Sequence, residues 1–299
     1  EMQRSLVGSE MCIRDRLDGI ELVNCTETIE MCDEPARAIR SKKDSSIVVG
    51  LNMLKDGKGD AFVSAGSTGA LVVGGTLIVK RIKGVKRPAI GTVVPCMGGC
   101  FMLLDSGANH DCRPEMLRQF GLMGSVYMKR ILGVPNPRVG LVNIGVEETK
   151  GTELQVEAYG LMKEAGYNFI GNVEAREVPL GGCDVAVCDG FTGNIILKTT
   201  EGLAKLFMSE IKGIFMKSLP NKLAAAVVKK DLGAFKRKFD SAEYGGALLL
   251  GTKKPVIKAH GSSDAKAFYN AIRQAISCCE NNIIGEMESQ LAVETAEAE

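Results

Sequence analysis

Arg138-Val-Gly-Leu-Val-Asn-Ile144 runs into Gly145-Val-Glu-Glu-Thr-Lys-Gly151 and then into a stretch of helical periodicity. A continuous apolar run of this kind fits a strand covered on both faces, where a half-exposed antiparallel strand would alternate apolar and polar residues. The pattern recurs. Ala61 to Ser64, Phe101 to Asp105 and Asp184 to Cys188 each end in a Gly-rich turn ahead of a helix, which reads as βα alternation in an open, mostly parallel α/β sandwich. In such sheets the loops leaving the carboxyl ends of the strands line the ligand crevice, so those loops hold the candidate site.

After Ser64 comes Ala65-Gly-Ser-Thr-Gly-Ala70, in which Gly66 and Gly69 allow close backbone approach, while Ser64, Ser67 and Thr68 add hydroxyls at a helix start. Such a loop suits an anion, or is a plain tight turn. After Leu104 come Asp105, Asn109 and Asp111, ahead of a helix expected to start at Pro114; they orient a ligand, or they cap and turn the chain. Lys150 is flanked by Glu147 and Glu148, which as a solvated turn salt bridge would contribute little. Asp189-Gly-Phe-Thr-Gly-Asn194, with Lys198 one turn later, has the make-up of a backbone-lined cradle for a charged or carbonyl oxygen. Pro255 to Lys258 reads as a strand ending at His260 and a Gly-Ser-Ser-Asp loop, followed by a final helix to about Ile284 and a frayed acidic tail over 286–299.

Between Leu219 and Phe239, Leu223, Val227, Val228, Leu232 and Phe235 interleave with lysines and arginines. A basic amphipathic helix or hairpin of this kind docks on a dimer partner, lies on an anionic membrane face, or packs as an ordinary helix. Charges otherwise nearly cancel, with 37 basic against 36 acidic residues, so attraction to an acidic partner must come from local patches, and nothing points to nucleic acid. Ten cysteines include Cys25, Cys32, Cys183 and Cys188 set singly among apolar residues; they read as reduced packing residues, without metal spacing. No apolar run reaches the about eighteen residues of a membrane span, and no signal-peptide order opens the chain. The expected compartment is the cytoplasm.

Taken together, several blocks resemble the PlsX-type phosphate acyltransferase family, the acyl-ACP:phosphate transacylases. These are Asp33-Glu-Pro35 with Lys42-Lys-Asp-Ser-Ser46, Ser64-Ala-Gly-Ser-Thr-Gly69, Arg87-Pro-Ala89, Leu104-Asp-Ser-Gly-Ala-Asn109, Gly171-Asn-Val-Glu-Ala-Arg176, Asp189-Gly-Phe-Thr-Gly-Asn194, Glu243-Tyr-Gly-Gly-Ala247 and Lys258-Ala-His-Gly-Ser-Ser-Asp264. The resemblance implies a Rossmann-like three-layer α/β/α sandwich related to isocitrate and isopropylmalate dehydrogenases, and a homodimer. It implies transfer of a fatty acyl group from acyl carrier protein to inorganic phosphate, with no cofactor. Lys150 and Asn194 are then the catalytic candidates. Ser64, Gly66, Ser67, Thr68, Gly69, Asp105, Asn109, Asp189, Gly193, Lys198 and His260 are the substrate- or phosphate-binding candidates. The residues from Leu219 to Phe239, an insertion over about 216–239, become the membrane contact of a peripherally associated enzyme, held there directly or by a membrane glycerol-3-phosphate acyltransferase. Acyl carrier protein is acidic, and Lys80, Arg81, Lys83, Lys86 and Arg87, placed around the second helix of the matched region, offer a basic docking patch.

Two departures stand out. Family members usually carry Asn where Ser67 stands. The family also opens with a strand ending in Asp-Ala-Met-Gly-Gly-Asp, a helix and a further strand, whereas residues 1–16 match nothing in it and read as translated adapter sequence, leaving 17–285 as the acyltransferase region. This chain is therefore expected to be less active than one carrying those elements. The rival readings are an isopropylmalate-type dehydrogenase, a phosphotransacetylase-like enzyme using acyl-CoA, and a non-catalytic membrane-docking scaffold.

Overall fold

The computed structural model describes residues 20–238, 245–261 and 263–297. The expected adapter segment, Phe239, Glu243, Tyr244 and Ser262 lie outside the described residues. In chain order the elements are α1 (Pro35–Ser41), α2 (Ser46–Lys55), β1 (Phe62–Ser64), α3 (Thr68–Gly74, running into a π-turn over Gly75–Val79), β2 (Ala89–Cys96), β3 (Gly99–Leu104), α4 (Pro114–Arg130), β4 (Val139–Asn143), α5 (Glu153–Lys163), β5 (Phe169–Glu174), β6 (Val185–Val187), α6 (Gly190–Met216), α7 (Leu219–Val227), α8 (Lys229–Lys238), β7 (Ala247–Leu250), β8 (Val256–Lys258), α9 (Ala265–Glu280) and α10 (Ile283–Glu297). The strands form one sheet in the order β1-β8-β7-β2-β3-β6-β4-β5.

Register fixes how that sheet presents its loops. Val63, Ile257, Leu248, Gly91, Leu104, Val187 and Leu141 stand in one row across it. Parallel pairs join β1 to β8 and run through β3, β6, β4 and β5, but β7 and β2 are antiparallel to their neighbours. The expected mostly parallel sheet is thus a mixed one. Its two halves run in opposite directions: β1, β2 and β8 one way, β3 to β7 the other. The loops after β1 and β8 therefore leave one edge of the sheet, and those after β3, β4 and β6 leave the opposite edge. A single carboxyl-end crevice shared by all of them, as the sequence suggests, does not form.

Helices cover both faces. On one, α4, α5, α9 and α10 pack over Met102, Leu104, Val185, Val187, Leu248 and Ile257 in the largest apolar cluster. On the other, α2 and α3 pack over Ile90, Leu249 and Val256, while Ile196 and Leu197 of α6 pack over Leu103, Ala186 and Cys188. Alternation along each strand sends neighbouring residues to opposite faces, which explains this division.

Two expectations about the C-terminal end are corrected. The final helix does not run to Ile284; α9 stops at Glu280, and Asn282 takes a left-handed φ of 45° that redirects the chain. Nor does a frayed tail follow among the described residues, because α10 buries Ile283, Met287 and Leu291 completely or nearly so and pairs Glu286 with Arg130. Those residues recur at i, i+4 and i+8, the stripe of a packed helix. The cysteine reading also divides: Cys183 and Cys188 are buried, but Cys32 is exposed and packs nothing. Met287→Ala is expected to cost about 2–5 kcal/mol, as for a core methionine, where a frayed tail would leave the denaturation midpoint unchanged; urea titration followed by circular dichroism checks it.

Candidate active site

The loop after β3 is organised by one carboxylate. Asp105 is fully buried, and its Oδ1 accepts from the backbone N–H groups of Ile90 (3.1 Å), Gly107 (3.0 Å) and Ala108 (2.9 Å). Its Oδ2 accepts from the Asn109 backbone (2.7 Å) and side-chain Nδ2 (2.8 Å). Burial pushes the carboxyl above its ordinary range, against the pull of those donors. With its acceptors so engaged, Asp105 shapes the loop from beneath and does not reach toward the crevice. Asn109 is tied down as well, donating to Pro88 O at 2.8 Å. The chain then doubles back over the sheet. Ser106 bonds Ile90 O through both its N–H (2.9 Å) and its hydroxyl (3.0 Å) and meets Thr92 Oγ1 at 2.7 Å.

The loop after β6 locks onto this one. Asp189 caps α6 by accepting from Thr192 N (2.8 Å) and Oγ1 (2.8 Å), and Gly190 N donates to Asn109 O at 2.6 Å. A Cβ at Gly190 would lie 2.7 Å from Asn109 O, and one at Gly193 would overlap the Asp105 carbonyl oxygen. Both glycines are needed for the loops to touch at all. Gly193 N is already bonded to Asp189 O at 2.9 Å, so the expected backbone oxyanion donor at Gly193 is spent. The side chain that reaches the opposing loop is Asn194, which borders Gly107, itself at a φ of 139°.

On the neighbouring strand, the Lys150 loop is held by two asparagines. Asn143 Nδ2 donates to Lys150 O at 2.9 Å and Asn172 Nδ2 to Glu147 O at 2.8 Å. The turn salt bridge does not form, because Glu148 accepts from Lys163 (3.1 Å) and Tyr159 (3.1 Å) instead. The Lys150 ammonium is exposed and has no ion-pair partner among the described residues.

The remaining candidates divide by the sheet's two directions. Ser64 accepts from Gly66 N (3.1 Å), and the nearly buried Ser67 caps α3 through Ala70 N (3.4 Å). Gly66 and Gly69 give room to Ile47 and Pro35, so packing alone accounts for the glycines of that loop. Thr68 borders a cleft beneath α3 that is also lined by Ile90, Ala247, Leu249 and Lys258. α6 packs Ile196 and Leu197 on the same face of the sheet, and its exposed Lys198 is bonded to Glu201 at 2.9 Å. His260 is exposed just beyond Lys258. The structure thus brings Asn194, Lys198, Thr68 and the 106–109 loop to one face between α3 and α6. It also brings in Lys258, which a strand-end reading of the sequence passes over; its alternation with Val256 would have placed it on this face.

The basic patch lies in the loop after α3, not around the second helix as the sequence reading had it. All five of its residues are exposed, and Pro88 joins it directly to Asn109. α7 buries no residue and α6 buries only Gly190 and Gly193, so ordinary packing within this chain does not explain Leu223 (71% exposed) or Val227 (84% exposed).

A family profile described as "Fatty acid synthesis protein" matches residues 6–286. The phosphate acyltransferase of Alkaliphilus oremlandii is 51% identical over 286 residues, spanning 93% of this chain and 85% of that one. That of Clostridium botulinum strain Loch Maree is 49% identical, spanning 96% and 88%. Among solved structures, the EutD phosphotransacetylase from Staphylococcus aureus matches with a TM-score of 0.54 at 17% identity, covering 91% of this chain and 83% of that one. A phosphotransacetylase from Streptococcus pyogenes matches at 0.53 and 17%, covering 78% and 66%. At that identity the likeness speaks for the fold.

Gly193→Ala adds one methyl between two locked loops. It is expected to cost about 1–3 kcal/mol by overpacking, read as a lower melting temperature, whereas Gly202→Ala on the open length of the same helix should cost nothing.

Proposed function

The chain belongs to the fatty acid synthesis protein family, and from that premise we propose that it transfers a long-chain fatty acyl group from acyl carrier protein to inorganic phosphate. The observation that carries this reading is the seating of Asn194 at the start of the second turn of α6, opposite Gly107, with the Lys150 loop on the adjoining strand. Acyl transfer to phosphate needs no protein nucleophile. A phosphate oxygen attacks the thioester carbonyl carbon, the carbonyl oxygen takes up charge, and the C–S bond breaks to release thiolate and acyl phosphate. What the protein must supply is position and charge.

In this reading Lys150, without a carboxylate to neutralise it, holds phosphate beside the carbonyl. Asn194 Nδ2 donates to the developing oxyanion, because the nearby N–H groups of Gly190, Thr192 and Gly193 are committed to loop and cap bonds. His260, on the loop that leaves the opposite edge of the sheet, takes no part in this step. The basic loop over 80–87 receives the acidic carrier, and its junction with Asn109 through Pro88 supports delivery of the acyl arm to the crevice. The apolar and basic tip formed by α7 and α8 rests on a membrane face or on the second subunit of a dimer. No helix among the described residues is long and apolar enough to cross a membrane. The finer fold reading, a Rossmann-like sandwich of the isopropylmalate dehydrogenase kind, is supported by helices on both faces of one sheet.

A reading as an acyl-CoA:phosphate transferase shares the chemistry and draws support from the phosphotransacetylase fold likeness. Phosphate-dependent thiol release from long-chain acyl carrier protein, compared with the same acyl group on coenzyme A, separates the two. Carrier-protein turnover at least tenfold more efficient is the expected result, and the reverse preference would decide for coenzyme A.

Asn194→Ala is expected to lower kcat by about a hundredfold or more with the fold intact, and Lys150→Ala to lower kcat/KM for phosphate. Full turnover in either variant removes that residue from the mechanism. Reversing Lys83 and Lys86 to Glu should raise KM for the carrier and flatten its salt dependence, with kcat unchanged.

A further inference from the structure

Residues 144–152 lie at the surface, and their apolar members do not anchor them: Ile144 is 79% exposed and Val146 63%. What ties this loop to the sheet comes from two buried asparagines at neighbouring strand ends. Asn143 closes β4, and Asn172 on β5 is in register with Leu141, two residues earlier, so both side chains leave the same face of the sheet. Asn143 Nδ2 donates to Lys150 O (2.9 Å) while its Oδ1 accepts from Ile144 N (2.8 Å), and Asn172 Nδ2 donates to Glu147 O (2.8 Å). The two amides thus grip both ends of the turn that Lys150 N closes on Glu147 O. Gly151, at a φ of 97°, fits against the first of them; a Cβ there would lie 2.7 Å from Asn143 Oδ1.

Asn172 carries a second sign. Its Oδ1 is buried with no hydrogen-bond partner among the described residues. A buried acceptor left unmet is a net cost to the fold, and such a group persists where its other half is needed. The other half here is the N–H that fixes Glu147. The block Gly171–Arg176 has no other part in the proposed chemistry. An exposed lysine on an unanchored loop would sample many positions, and a misplacement of about 1 Å in catalytic geometry can cost about a hundredfold in rate.

We propose that Asn143 and Asn172 are positioning residues for Lys150: acting through main-chain carbonyls, they fix where its ammonium stands, without touching phosphate themselves. The role of Lys150 rests on the acyl-transfer reading; the mounting of its loop rests on the two amides.

Asn143→Leu and Asn172→Leu keep side-chain size and remove the donors. Cutting of the full chain at Lys150–Gly151 by a lysine-specific protease, followed by mass spectrometry, reports opening of the loop. Each variant should be cut there about fivefold faster, as for loss of one hydrogen bond, with cutting at other lysines unchanged. In phosphate-dependent thiol release, kcat/KM for phosphate should fall about tenfold while KM for the carrier stays where it was. In a Lys150→Ala background the same substitutions should add nothing. The melting midpoint separates position from stability, because Asn172→Leu disposes of an unmet acceptor and should melt no lower than wild type. Unchanged cutting at Lys150, an equal loss of turnover with and without Lys150, or a lower midpoint with faster cutting throughout the chain overturns the proposal. Asn172→Leu decides should Asn143→Leu not fold. A chain that releases no thiol would count against the function, while cutting at Lys150 would still decide for or against the mounting.

Discussion

Five N–H groups converge on the Asp105 carboxylate in the middle of the molecule, and the site is arranged around that convergence. A carboxylate out of water is stable only when its lone pairs are met by donors. Here the donors come from the loop that must be shaped and from the start of β2. Removing one such partner would strand several buried N–H groups, so the loop has a single well-defined form. That form sets where Gly190 and Gly193 must lie, and these in turn aim Asn194. The chain of constraint runs from a buried charge, through two residues without side chains, to a polar group at the crevice.

The strands over residues 62–64, 139–143 and 185–187 were legible because burial on both faces writes a continuous apolar run, and the start of α4 was legible from Pro114. Strand direction was not. Whether β7 and β2 enter parallel or antiparallel is decided by pairing across about 160 residues of chain, and no local signal reports it. The misreading of the crevice as one carboxyl edge follows from that. The structure reassigns what several of the candidate residues do. Asp105 and Asp189 serve the backbone, and Gly66 and Gly69 serve packing. Lys258 was hidden because a lysine closing a short strand reads as an ordinary solvent-facing end. The C-terminal helix was hidden by its acidic composition, although Ile283, Met287 and Leu291 kept helical spacing beneath it.

The opposed halves of the sheet also explain how residues distant in sequence come together without a shared edge. Loop 106–109 folds back over β2, α6 climbs the same face from the far end, and α3 descends it from the near end. The floor is sheet and the two walls are helices, so the crevice is bounded by elements that are themselves packed into separate apolar clusters. A change in the distance between those walls would alter the site without unfolding either cluster.

α6 continues without interruption from Asn194 to Met216, a length of about 33 Å at the rise of an α-helix. It behaves as a ruler. Whatever surface seats the exposed apolar tip is held at a fixed distance and bearing from the crevice, so the mouth of the site inherits an orientation from the tip's contact. Anything held at that mouth lies a few nanometres from whatever the tip meets, a separation set by the helix alone.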